Sequence, residues 1–114
     1  MLAINPKHRE VRGRPCYPSL QAAGQAVDLA VVATPAATLP RILEDCAMQG
    51  VRAAVVLSAG FRPAEAPGLL DAALQAARRH RIRVLGPNCL GLIRPAVGMN
   101  ASFSNGGALP GRLA

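Results

Sequence analysis

Four short apolar runs divide the chain and have the character of β-strands. Residues 29–33 and 53–57 are apolar without alternation, a pattern that is typical of parallel strands buried on both faces. Residues 82–85 form a third run of this kind, and residues 2–4 form a shorter run near the start. The hydrophobic pattern therefore predicts four strands of a parallel sheet.

Two amphipathic segments lie between these strands and have helical spacing. Thr34 or Thr38 is the expected N-cap of the first, Pro40 is tolerated in its first turn, and Gly50 ends it. The second has Asp71 near its start and arginines at its end, which complements a helix dipole. Each helix is expected to link two parallel strands as a β-α-β crossover. The apolar positions are Leu39, Ile42, Leu43, Cys46 and Ala47 in the first helix and Leu69, Leu70, Ala73, Leu74 and Ala77 in the second.

Two shorter elements complete the prediction. Residues 19–23 are compatible with a short helical turn. After Gly91 the sequence changes to brief β-prone pieces that are interrupted by Pro95 and Gly98. This change predicts a hairpin or an arm rather than another crossover.

Each predicted strand runs directly into a turn, and the four turns comprise residues 5–7, 33–35, 58–61 and 86–91. Because the carboxyl ends of parallel strands point the same way, we expect all four turns at one edge of one sheet. Open α/β sheets bind their ligands at that edge. The turns contain small residues, prolines, a lysine and an asparagine but no acidic residue, which favours an anionic, nucleotide-like ligand.

Composition places the chain in the globular class. Its 114 residues are enough for one small domain, with 51% hydrophobic and 17% charged residues. No apolar run approaches the roughly 20 residues of a membrane span and no secretory pattern is visible, so a cytoplasmic location is expected. The three cysteines are odd in number and far apart, which argues against a disulfide framework and against a metal site.

The charge balance narrows the class of ligand. Thirteen basic and six acidic residues give a net charge of +7, which favours nucleic acid, an acidic partner or a phosphorylated ligand. The basic residues are dispersed and only Tyr17, Phe61 and Phe103 are aromatic, so we expect no nucleic-acid binding. A small molecule that carries phosphate fits better.

Five motifs, in the same order and at the same spacing, resemble the sequence of a known family. They are Asn5-Pro6-Lys7, residues 13–20, residues 28–36, residues 55–61 and Gly86-Pro87-Asn88-Cys89-Leu90-Gly91. Together they resemble the CoA-binding domain of the NDP-forming acyl-CoA synthetases, a superfamily that includes the succinyl-CoA synthetase α-subunit and synthetase-like protein acetyltransferases. The likeness extends over nearly the whole chain. Leu90 matches the acetate- or acyl-CoA synthetase type, because the succinyl enzymes typically have proline after that cysteine.

The resemblance implies an α/β, Rossmann-like parallel sheet that holds CoA at its carboxyl edge. The sheet is expected to be incomplete, because the sequence has no Gly-x-Gly-x-x-Gly turn and starts at what corresponds to the second strand. Residues 1–105 would be a partial CoA-binding domain. Residues 106–114 would begin a linker or strand leading into a missing succinyl-CoA-ligase-like domain.

The resemblance also implies a reaction. Acyl-CoA, ADP and phosphate interconvert with the free acid, CoA and ATP through an acyl phosphate and a phosphorylated histidine. That histidine would lie beyond Ala114, and neither His8 nor His80 is given its role. The chain is therefore expected to bind CoA as a substrate and to have no catalytic residue of its own. Its expected partners are the missing synthetase domains or subunit, including the ATP-grasp part, in a homo- or hetero-oligomer.

Seven residues are candidate CoA contacts by this resemblance. Lys7 would pair with a CoA phosphate as a point charge, and its alternative is an exposed lysine with no role. Asn88 would fix its turn and reach the pantetheine arm, although asparagine serves turns equally well. Cys89, the neighbour of Asn88, is not one of the seven and is interpreted as a small buried thiol rather than a nucleophile. The remaining candidates are Thr34, Pro35, Leu57, Ser58 and Ala59.

These remaining candidates come from two turns. Leu57, Ser58 and Ala59 match the third-strand contact of the family, and the Ser58 hydroxyl can donate or accept a hydrogen bond. The alternative is an ordinary exit from a strand. Thr34 and Pro35 begin a helix whose free N–H groups could face a phosphate or a pantetheine carbonyl, with simple capping as the alternative.

Three other functions remain open on the sequence alone. The chain could be the CoA-binding regulatory region of a protein lysine acetyltransferase. It could be a fragment of an NAD-binding oxidoreductase, although Asn5 stands where a ribose-binding acid is expected. It could also be an interaction module that a partner subunit completes.

Overall fold

The structure is a computed structural model that describes residues 1–111, and these residues form an α/β fold. In chain order the elements are β1 (Ala3–Ile4), β2 (Glu10–Val11), β3 (Arg14–Tyr17), α1 (Leu20–Ala23), β4 (Leu29–Val32), α2 (Leu39–Met48), β5 (Ala53–Val56), α3 (Leu69–Arg79), β6 (Arg83–Leu85), β7 (Gly91–Arg94) and β8 (Met99–Ser102).

The main sheet consists of β4, β5 and β6 in that order, and all three strands are parallel. Val32 is in register with Val56, and Val55 is in register with Leu85. Helices α2 and α3 provide the two crossovers. The parallel sheet and the β-α-β connections predicted from the apolar runs are confirmed, and all three strands end at the same edge.

The hydrophobic core lies between this sheet and helices α2 and α3, which pack against each other. Leu43 is 1% exposed and Val56 is fully buried. Complete burial of a side chain of this size stabilises the fold by roughly 1.5–3 kcal/mol. Three alanines form the buried face of α3, namely Ala73, Ala76 and Ala77. Ala73 and Ala77 were predicted and Ala76 was not, while the predicted Leu69 and Leu70 are half-buried and pack against the core.

Cys46 lies on the buried face of α2. Burial raises the pKa of its thiol from 9.0 to about 11, and the neighbouring Asp45 carboxylate acts in the same direction. The cysteine is therefore a protonated, apolar component of the core.

The ends of the helices agree with the sequence except at the start of α2, where Thr38 takes the N-cap position but its side chain makes no capping hydrogen bond. Pro40 lies in the first turn of α2, and Gly50, with φ +75°, follows its last residues. A short 3₁₀ turn (Ala36–Thr38) leads into α2. Asp71 lies in the first turn of α3 and two arginines lie in its last turn, as predicted.

The first strand is not part of the main sheet. β1 pairs in parallel with β3, and β3 pairs in antiparallel with β2, which gives a separate three-stranded sheet. The expectation that all four turns lie at one edge of one sheet is therefore wrong for the turn at residues 5–7. The cause is local, since the unpredicted β2–β3 hairpin supplies a partner for β1. Arg12 and Gly13 close that hairpin with φ of 50° and 73°.

The shorter predicted elements are present. The Ser19 hydroxyl accepts a hydrogen bond of 3.1 Å from the Ala22 N–H and caps α1. β7 and β8 form the expected antiparallel hairpin, and β7 contacts β5. Of the linker or strand expected over residues 106–114, residues 106–111 form no strand, and residues 112–114 lie outside the described residues.

Within residues 1–111, no helix is both long enough and apolar enough to cross a membrane.

Candidate functional site

The carboxyl ends of β4, β5 and β6 form the candidate site, which we call the carboxyl rim and define as residues 33–35, 58–61 and 86–89. Two hydrogen bonds connect its three turns. The Ser58 hydroxyl donates to the carbonyl oxygen of Thr34 over 2.6 Å, and the Asn88 N–H donates to the carbonyl oxygen of Ser58 over 2.9 Å. The structure therefore brings together three of the residues singled out by the sequence.

The direction of these bonds decides what Ser58 offers to a ligand. A hydroxyl has one hydrogen, and the short distance to the Thr34 carbonyl shows where that hydrogen lies. The carbonyl of Val32 is more distant, at 3.5 Å. The half-buried Ser58 oxygen is left with free lone pairs, so it can accept a hydrogen bond from a ligand N–H or O–H but cannot donate one.

The Thr34 hydroxyl is constrained in a similar way. Its oxygen lies 2.8 Å from the Thr38 hydroxyl oxygen, which in turn donates to the Pro35 carbonyl over 2.7 Å. Because the Thr38 hydrogen is used in that second bond, Thr34 is the donor in the first. The exposed Thr34 oxygen is therefore also an acceptor toward a ligand.

The turn after β6 is shaped by glycine and cysteine. Gly86 has φ +105°, and a Cβ at this position would collide with the carbonyl oxygen of Val56. The Cys89 thiol donates to that same carbonyl over 3.4 Å. Cys89 is half-buried rather than fully buried, and its contacts tie the turn to β5. Asn88 adopts the left-handed conformation, with φ +54°, and is exposed at the rim.

The other predicted rim residues contribute mainly backbone and apolar surface. The Leu57 N–H donates to the Val32 carbonyl over 2.9 Å, so it is used within the sheet. The Pro35 carbonyl accepts from both the N–H and the hydroxyl of Thr38. Pro35 and Ala59 are exposed and Leu57 is half-buried, so all three can contact an apolar part of a ligand.

Lys7 follows β1, which belongs to a different sheet from the strands of the rim. It is exposed in the turn that follows β1, where its N–H donates to the Asn5 side-chain oxygen over 2.9 Å. The same oxygen accepts from the His8 N–H over 3.2 Å. This Asx turn fixes the backbone at Lys7 and leaves the ammonium group in solvent. The hydrogen bonds that connect the rim do not include Lys7.

A cleft of about 390 Å³ opens beside the rim and adds a charged pair that the sequence analysis missed. Arg62 Nη1 lies 3.5 Å from Glu65 Oε1 on a single turn of backbone. The position of Arg62 directly after the turn at residues 58–61 was the available signal. The cleft is lined by Ala59, Gly60, Phe61, Arg62, Glu65 and Asn88.

This geometry agrees with a comparison of the sequence with protein families. Residues 1–95 match the family described as CoA binding domain. The chain belongs to this family. The matched residues include every predicted site residue from Lys7 to Asn88, and the resemblance inferred from the motifs is confirmed.

Individual relatives of this CoA binding domain are longer proteins. The chain is 43% identical over 114 residues to the ADP-forming acetate–CoA ligase I of Archaeoglobus fulgidus, with 98% of the chain and 17% of that protein covered. It is 34% identical over 109 residues to the α subunit of the ADP-forming acetate–CoA ligase I of Pyrococcus furiosus, with 92% and 24% covered.

A solved structure supports the fold of the CoA binding domain. The dinucleotide-forming acetyl-CoA synthetase 1 of Ca. Korarchaeum cryptofilum, in complex with phosphate and ADP, superposes with a TM-score of 0.75 at 37% identity. The match covers 88% of this chain and 22% of that chain. The chain therefore spans only a minor part of the proteins that it matches.

Proposed function

We propose that this chain binds CoA at the carboxyl rim, as the CoA-recognition part of an ADP-forming acyl-CoA synthetase. The observation that carries the proposal is the hydrogen-bonded connection of Thr34, Ser58 and Asn88 at the ends of three parallel strands. Open parallel sheets bind nucleotide-like ligands at this edge. Membership of the family of CoA binding domains supports CoA as that ligand.

The rim and Lys7 complement the two parts of CoA in different ways. The pantetheine arm has amide N–H and hydroxyl groups, which match the acceptor oxygens of Thr34 and Ser58. The phosphates require positive charge, for which we assign Lys7. The proposed CoA contacts are Lys7, Thr34, Pro35, Leu57, Ser58, Ala59 and Asn88.

The reaction belongs to the whole protein rather than to this chain. In the proposed reaction, acyl-CoA, ADP and phosphate interconvert with the acid, CoA and ATP, and CoA is a substrate. We assign residues 1–105 to CoA recognition and residues 106–114 to a connection toward the domain that carries the phosphohistidine. The greater length of the relatives and the α subunit among them support a partner domain or subunit that binds the nucleotide. The ligases among the relatives favour a synthetase over an acetyltransferase.

Isothermal titration calorimetry of the 114-residue chain tests the proposal with three ligands. We expect CoA to bind, dephospho-CoA to bind more weakly because it lacks the 3′-phosphate, and NADH not to bind. Equal heats for CoA and dephospho-CoA would remove the assigned phosphate role of Lys7. Binding of NADH in preference to CoA would favour the oxidoreductase alternative.

A further inference from the structure

The cleft beside the rim contains one cationic side chain whose charge is only weakly engaged. The Arg62 side chain is 83% exposed, and the one acidic partner of its guanidinium within residues 1–111 is the Glu65 carboxylate at 3.5 Å. Exposed ion pairs of this kind contribute about 0–1 kcal/mol. An anion that pairs with the Arg62 guanidinium in better geometry can therefore replace the Glu65 carboxylate at a small cost in free energy.

The backbone places both residues of this pair in the lining of the cleft. Phe61 is buried, with 8% of its surface exposed, and it anchors the chain immediately before Arg62. The carbonyl of Arg62 accepts from the N–H groups of Glu65 and Ala66, both over 2.9 Å, which forms one helical turn. Arg62 and Glu65 thus lie on the same side of this turn, and both line the cleft with Asn88.

We propose that Arg62 binds a phosphate group of the ligand in this cleft and that Glu65 is a built-in competitor for that phosphate. The inference rests on the proposed function, because it places a phosphorylated ligand at the rim. Guanidinium forms two parallel, charge-assisted hydrogen bonds with phosphate, which are stronger than its contact with one exposed carboxylate oxygen. When the ligand binds, Glu65 is released to solvent, and its charge then lowers the affinity for the anionic ligand.

Variants that each neutralise one charged side chain distinguish a phosphate contact of Arg62 from a general electrostatic effect. Glu65→Gln removes the competitor and should strengthen CoA binding about two- to five-fold, the equivalent of one exposed ion pair. Arg62→Gln should weaken CoA binding about ten-fold or more, since it removes charge-assisted hydrogen bonds. Asp45→Asn is the matched control, because Asp45 forms the similar exposed pair with Arg41 on α2, at 4.0 Å. Asp45→Asn changes the net charge by the same amount as Glu65→Gln and should alter the affinity for CoA less than two-fold.

Ligand fragments identify which phosphate is bound. Pantetheine has no phosphate, and its affinity should be the same for the wild type, Arg62→Gln and Glu65→Gln. If the effect of Arg62→Gln persists with dephospho-CoA, the diphosphate is bound, and if it vanishes, the 3′-phosphate is bound. Either result supports the inference. A wild-type affinity for CoA in Arg62→Gln, or equal strengthening by Glu65→Gln and Asp45→Asn, would overturn it.

A second measurement distinguishes failure of this inference from failure of the proposed function. The Nε–Hε resonance of Arg62 is followed by NMR while the chain is titrated with inorganic pyrophosphate. The phosphate site is supported if Glu65→Gln strengthens the response of Arg62 to pyrophosphate and Asp45→Asn does not. If CoA then fails to bind, the proposed function alone fails. No response of Arg62 to pyrophosphate or to CoA overturns the inference.

Discussion

The hydroxyl of Ser58 donates a hydrogen bond of 2.6 Å to the carbonyl oxygen of Thr34, across the ends of two neighbouring parallel strands. This bond uses the only hydrogen of the hydroxyl, so Ser58 meets a ligand as an acceptor. A phosphate has no hydrogen to offer when fully ionised, whereas the amides of pantetheine do. We therefore propose that the rim recognises the uncharged arm of CoA with hydroxyl groups and leaves the phosphates to cationic side chains.

Ser58→Ala should weaken the binding of CoA and of pantetheine by the same factor. The loss of one neutral hydrogen bond, about 0.5–1.5 kcal/mol, corresponds to about two- to ten-fold in affinity. Calorimetry with both ligands measures this directly. Ser104→Ala, at an exposed position beyond β8, is the control and should leave both affinities unchanged. An effect of Ser58→Ala on CoA without one on pantetheine would contradict the acceptor role.

Lys7→Gln should affect only the phosphorylated ligands. Removal of one phosphate-binding charge lowers CoA affinity about three- to ten-fold at low salt, and the difference shrinks as salt screens the ammonium group. Arg9→Gln, two residues away and also exposed, is the control for general positive charge. If both variants weaken CoA binding equally, Lys7 has no specific phosphate contact.

The main sheet was predictable because its strands have no polar alternation. Residues 29–32 and 53–56 are apolar at every position, which is typical of parallel strands. The expected burial on both faces is wrong for the two outer strands of the sheet, because Val31 on β4 is 47% exposed and Leu85 on β6 is 45% exposed. The hairpin after Gly91 was predictable from its turn residues. The β2–β3 hairpin was missed because the segment from Glu10 to Arg14 is charged and exposed, so it has no hydrophobic pattern to detect.

The candidate site was predictable in its location but not in its chemistry. Strand ends gave Thr34, Ser58 and Asn88, because any parallel sheet gathers its carboxyl ends. The direction of the Ser58 hydrogen bond depends on a carbonyl 24 residues earlier in the chain. Arg62 was missed because its position depends on the backbone turn that follows Phe61. The direction of the Ser58 hydrogen bond has no signature in local sequence, and the available signal for Arg62 was its position directly after the turn at residues 58–61.

Gly86→Ala should destabilise the fold and not merely the site. The left-handed φ of +105° and the collision of a Cβ with the Val56 carbonyl together are expected to cost at least ~2 kcal/mol. Urea denaturation followed by circular dichroism gives this value. Gly107→Ala is the control, since a Cβ there meets nothing within 4 Å, and its midpoint should stay near that of the wild type. Equal midpoints for both variants would show that the turn after β6 relaxes freely.

The raised pKa of Cys46 predicts a loss of stability at alkaline pH. The folded chain holds the thiol proton up to a pKa of about 11, whereas the unfolded chain releases it near 9.0. The stabilisation is complete below pH 9 and declines as the pH rises toward 11, with a slope of up to ~1.4 kcal/mol per pH unit. Denaturation curves between pH 8 and 11 measure the slope. Cys46→Ala should flatten it, and an unchanged slope would assign the decline to other groups.

An NMR titration of the ¹⁵N-labelled chain with CoA tests the central claim most directly. If CoA binds at the carboxyl rim, the amide resonances of Ser58, Ala59 and Asn88 shift together and saturate with one dissociation constant. Pantetheine should reproduce the shift at Ser58. Shifts that are absent from these three residues, or that map to the β7–β8 hairpin instead, would contradict the account.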